Sequence, residues 1–138
     1  MTKKRWKLMV WVFILTLCVC KPVYAAEESD TELLPMAVDA EKTLNLVLSS
    51  GSATCVCKVK GDIDDVTKIT INMYLQKQNS SGGWATYKSW SGTKSSNVYN
   101  MSQTTTISKG TYRVRASVAC YKGTSSQTTS HYSTVKTY

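Results

Sequence analysis

The chain has 138 residues, with 17 basic and nine acidic side chains, a formal net charge of +8, five cysteines and a single histidine. One histidine and the tight spacing Cys55-x-Cys57 leave too few ligands for a zinc knuckle, and no nucleophile has a base beside it in a motif. Metal-site and enzyme classes are therefore disfavoured, and the length suits one domain.

In chain order, Lys3, Lys4, Arg5 and Lys7 precede an apolar run from Leu8 to Cys20, followed by the small-x-small exit Val23-Tyr24-Ala25. Charge, apolar run and small-residue exit in that order predict a cleavable secretory signal over residues 1–25. The run is roughly 13 residues long, and a bilayer-spanning helix needs about 20. The expected product is secreted or held at the cell envelope, with no membrane span after cleavage.

Without the leader, 12 basic and nine acidic residues remain, and they are segregated. Glu27, Glu28, Asp30, Glu32, Asp39 and Glu41 fall within 26–42, which reads as a flexible acidic arm. The rest is basic and forms the expected domain, 43–138. Nucleic acid is excluded as a partner by the extracellular location and by the lack of any basic cluster denser than Lys58/Lys60 and Arg113/Arg115.

From residue 43 the pattern has period two, which is the signature of half-buried strands. Leu44, Leu46 and Leu48 mark a strand near 43–49, and Ser49-Ser50-Gly51-Ser52 marks a turn. Ala53, Cys55, Cys57 and Val59 form the inner face of a second strand. Gly61–Asp65 is a loop whose Asp62, Asp64 and Asp65 resemble the start of a calcium loop but lack its distal glutamate. Ile69, Ile71, Met73 and Leu75 point inward in a third strand over 67–77, and Asn79–Gly83 turns the chain.

Trp84–Trp90 is a fourth strand in hairpin with the third. Residues 84, 88 and 90 share parity, which predicts Trp84, Lys88 and Trp90 on one face, and a buried core tryptophan among them. Ser91–Asn97 reads as a turn, and weak strand segments lie near Val98–Met101 and Thr104–Ile107. Thr111–Tyr121 is the clearest strand, with Tyr112, Val114, Ala116, Val118 and Cys120 inward and Arg113 and Arg115 outward. A last strand, rich in Thr and Ser, falls near 128–136 and contains His131.

About seven strands, with turn signals every ten residues or so, predict an all-β fold. The expected architecture is an antiparallel β-sandwich of immunoglobulin-like type, with a small β-barrel as the alternative. In such a sandwich the second and sixth strands lie in opposite sheets, so one bridge is expected, Cys57–Cys120 or Cys55–Cys120. Trp84, Lys88, Trp90, Arg113 and Arg115 form the candidate binding surface. Lys58, Lys60 and Lys68 extend it as a basic stripe across neighbouring strands.

The segments ITINMYLQKQNSSGGWATYKSW (Ile69–Trp90) and GTYRVRA (Gly110–Ala116) resemble the small secreted proteins of Gram-positive bacteria grouped as domain of unknown function 6147. The Tyr-x-Val-Arg strand is also similar to the sixth strand of fibronectin-type sandwiches. The resemblance implies a secreted sandwich and adds no activity; from the residues themselves no catalytic residue, cofactor or metal is expected. The function expected from all of this is a non-catalytic extracellular interaction module whose partner is an anionic cell-wall polymer or an envelope protein. The alternative is a secreted antimicrobial or toxin-like protein.

Overall fold

The computed structural model describes residues 38–138, so the signal segment 1–25 and most of the acidic arm lie outside the described residues. Eight strands are present: β1 (Ala40–Ser49), β2 (Ser52–Gly61), β3 (Lys68–Gln78), β4 (Trp84–Lys94), β5 (Val98–Thr106), β6 (Thr111–Lys122), β7 (Ser125–Tyr132) and the two-residue β8 (Lys136–Thr137). They form two antiparallel sheets, β1-β2-β5 and β4-β3-β6-β7, with β8 continuing the line of β7 along β6. This is the Greek-key order of an immunoglobulin-like sandwich. No barrel closes among the described residues.

The turns follow from local chemistry. Between β1 and β2 only Ser50 and Gly51 are unpaired, with φ of 43° and 77°. Two positive φ values in a two-residue loop match the right-handed twist of the flanking strands. Asn79 closes the β3–β4 turn: its N–H donates to the Gly83 carbonyl, and its side-chain oxygen accepts from the Gly83 N–H at 2.6 Å. At the entry to β6 the Tyr112 hydroxyl donates to the Ser108 carbonyl at 2.8 Å. That contact is the tyrosine corner of immunoglobulin-like folds, and the Tyr112 ring is fully buried.

The core is built from the alternate positions of each strand: Leu46, Cys55, Cys57, Val59, Ile69, Ile71, Met73, Leu75, Met101, Val114 and Val118 among others. The sheet begins earlier than the period-two run indicated. Ala40–Lys42 already pair with Val59–Gly61, and Val38 is buried, so the domain starts within the segment assigned to the arm. The fourth strand also runs past Trp90 to Lys94. Ser91 donates to the Asn72 side chain and Thr93 bonds Thr70 across the ladder, so the expected turn shrinks to Ser95–Asn97.

The expected bridge is absent: Cys55, Cys57 and Cys120 are all free and buried. The reason is level within the sandwich. Cys120 lies near the end of β6, where the Thr67 N–H reaches the Tyr121 carbonyl, at the end of the molecule where β2 finishes. Cys57 and Cys55 lie two and three inward positions back from Gly61. Sheets packed about 10 Å apart need a local close approach to bring two Cα atoms within roughly 7 Å, and cysteines at different levels lack it. Burial pushes the Cys55 thiol up to about 12 and the Cys57 thiol up to about 11. It also raises that of Cys120, against a partial opposing pull from Lys42. All three behave as small apolar core residues.

Candidate functional site

The outer face of the five-stranded sheet is built from alternating residues on β3, β6 and β7. Strand pairing sets them in rows: Lys68 beside Tyr121, Asn72 beside Ser117 and Ser130, Tyr74 beside Arg115 and Tyr132, Gln76 beside Arg113. The inward neighbours on β6, from Tyr112 to Cys120, are almost wholly buried, so Arg113 and Arg115 point outward as their parity predicts.

Both arginines are held in place. The Arg113 guanidinium lies 4.3 Å from the Trp84 ring centre and 4.7 Å from that of Tyr132, and its Nε donates to Gln76 Oε1 at 2.8 Å. Gln76 is only 9% exposed although it faces outward, because these side chains cover it. Arg115 lies over Tyr74 at 5.9 Å, and its Nε is buried with no hydrogen-bond partner. Farther along the same face, the Lys68 ammonium sits 3.9 Å from the centre of the Tyr121 ring. Stacking a cation on a ring gains electrostatic attraction and also fixes the side chain's direction.

Neither arginine has a carboxylate partner among the described residues, where the one ion pair is Lys122 with Asp65. The carboxylates gather at the far end of the sandwich. Asp39, Glu41, Asp62 and Asp65 line a shallow hollow of about 420 Å³ where β1 begins and β2 ends. Asp62 there accepts the Asp64 N–H, and no metal-binding cluster occurs among the described residues.

The structure divides the residues that the sequence grouped together. Trp90 pairs with Met73 and packs against the core, while Trp84 pairs with Gln78 and lies on the outer face. The cause is a β-bulge: Leu75 pairs with Lys88 and Gln76 with Thr86, so Tyr87 is an extra residue. One extra residue inverts the parity of everything before it. Tyr87 itself turns toward the core, meeting the Tyr112 ring edge-on at 5.8 Å and donating to the Thr106 carbonyl. Lys88 takes the register position opposite Leu75, on the Trp90 side, and is exposed at the sheet edge. Lys58 and Lys60 belong to the outer face of the other sheet, so the basic stripe is split between opposite faces.

The surface that forms is therefore Trp84, Arg113 and Arg115, joined by Tyr74, Gln76 and Tyr132. Tyr74 and Gln76 were readable as outward residues of the third strand. Tyr132 becomes visible only through the β6–β7 register. His131 faces inward at the edge, with Thr129 Oγ1 2.9 Å from its Nε2.

No family model matches the chain, and no curated protein does. Among solved structures, the solution structure of R. palustris CsgH aligns over 67% of this chain and 90% of its own, at 11% identity and a TM-score of 0.39. A likeness that slight carries no conclusion about this chain.

Proposed function

We propose that this chain is a secreted, non-catalytic binding module that attaches to an anionic component of the cell surface through the outer face of its five-stranded sheet. The same reading places it with the small secreted proteins whose Trp-containing hairpin and Tyr-x-Val-Arg strand it resembles. The observation that carries it is the arginine pair Arg113 and Arg115, stacked on aromatic rings with no carboxylate beside either among the described residues. Fixing two cations in place before any partner arrives removes part of the ordering cost of binding. A broad, shallow face also suits an extended ligand better than a small molecule, which favours a concave pocket.

Incubating the purified protein with cell-wall and envelope fractions tests the reading. Retention is expected at low salt and should fall as ionic strength rises, because exposed charges are screened. No retention in any fraction at low salt would overturn it.

A further inference from the structure

We infer that Arg113 and Arg115 form a two-step reader of phosphodiester groups, so that the ligand of this face is a non-lipid cell-surface polymer of repeating phosphodiesters. The inference rests on the surface-binding reading above and gives that ligand a chemistry.

Three observations lead to it. First, the Arg113 guanidinium has two rings close to it, Trp84 at 4.3 Å and Tyr132 at 4.7 Å, and its Nε is committed to Gln76. What remains for a ligand is the pair of Nη groups, a planar fork of N–H donors. An edge-on fork selects an acceptor with two equivalent oxygens in one plane. A phosphodiester offers two non-ester oxygens sharing a single charge, and it stays ionised throughout the physiological pH range.

Second, Arg115 stands two residues along the same strand face, which places the two arginines about 7 Å apart along β6. Its Nε is buried without a protein acceptor, while the residue as a whole stays half-exposed. A chain whose phosphates are separated by a short polyol repeats at a comparable interval, so consecutive groups can meet consecutive arginines. Third, the surroundings are complementary in charge and character. The five carboxylates of residues 38–138 all lie in β1 and its approach or in the β2–β3 loop, and none is in β3, β4, β6 or β7. Beyond Arg115 the face continues through Asn72, Ser117 and Ser130, which bring amide and hydroxyl groups to the polyol units.

Calorimetric titration of the purified protein with a short glycerol phosphate oligomer is the test. The wild type should bind. The double variant R113K/R115K keeps the net charge but loses the fork, and it should bind at least about tenfold more weakly. The variant K58A/K60A removes two charges from the opposite face and should stay within about twofold of wild type. Circular dichroism confirms that each variant remains a β-sandwich. Should the arginine variant fail to fold, the Nε–H resonances of Arg113 and Arg115 in the wild type must shift as oligomer is added.

Equal weakening by K58A/K60A, equal affinity for a polygalacturonate of the same charge, or tighter capture by phosphatidylglycerol vesicles would each overturn the assignment. So would unmoved arginine resonances. Retention on envelope fractions without affinity for the oligomer would sink the phosphodiester assignment and leave surface binding standing. Oligomer binding without retention would do the reverse.

Discussion

Each sheet of this sandwich carries a pair of basic residues two apart on an inner strand, Lys58 and Lys60 on β2 and Arg113 and Arg115 on β6, and the two pairs live in different physical settings. The lysines are exposed, beside Thr43, Asn100, Glu41 and Val98 on a face without an aromatic stack. The arginines are half-buried, lie over rings and have no carboxylate partner among the described residues. Two identical sequence patterns therefore give a solvated face in one sheet and a rigid cationic face in the other. The neighbouring strands decide which is which, since they supply small polar groups in one case and Tyr74, Trp84 and Tyr132 in the other.

The contrast is tested most severely at the β4 bulge. Deleting Tyr87 makes Thr86 and Lys88 neighbours, so strict alternation alone keeps Trp84 outward and Trp90 inward. The Tyr87–Tyr112 contact and the hydrogen bond to Thr106 are lost. A loss of about 3 kcal/mol in urea unfolding is expected, while the folded variant keeps its envelope retention. Loss of retention in a folded variant would mean that the outer face depends on more than the register of Trp84.

A smaller effect separates the two basic pairs directly. Arg113→Ala leaves the Gln76 side-chain oxygen without its donor and removes the cation beside Trp84 and Tyr132, at a cost of about 1–3 kcal/mol. Lys58→Ala should change stability by no more than about 0.5 kcal/mol. Equal costs measured by urea denaturation would erase the distinction between the faces.

The smallest expected effect lies at the edge beside them. Burial, with help from Lys42, holds the His131 imidazole below its ordinary value of 6.5. A base depressed in the folded state protonates first in the unfolded chain, so its contribution to stability is complete above the unfolded value. It is lost as pH falls through the folded one. Unfolding free energy should therefore decline as pH drops below about 6.5, and His131→Gln should flatten that part of the profile. An identical slope in the variant would assign the decline to other groups.

Much of the architecture was legible in the residues, and the exceptions have local causes. Strict alternation in β2, β3 and β6 identified Cys55, Ile69–Leu75 and Tyr112–Cys120 as inward, because inner strands of a sandwich bury one face completely. β5 was faint because its inward positions include Gln103 and Thr105 beside Met101, so the apolar signal is diluted. The bulge at Tyr87 was invisible: no glycine marks it, and parity counted across it puts the two tryptophans together. The cysteine pairing failed for a related reason, since parity reports the face of a residue and not its height across the core. The arginine stacks depend on register between strands far apart in sequence, such as Arg115 with Tyr74, which no single segment encodes.

The gathering of carboxylates at the end where β1 starts also has a consequence for approach. The molecule is electrically lopsided along its length, so a negatively charged layer exerts a torque on it before contact and turns the acidic tip away. Encounters would then begin with the Arg113 end leading. Productive collisions should be more frequent than random tumbling allows, and this bias would fade as salt shortens the range of the field.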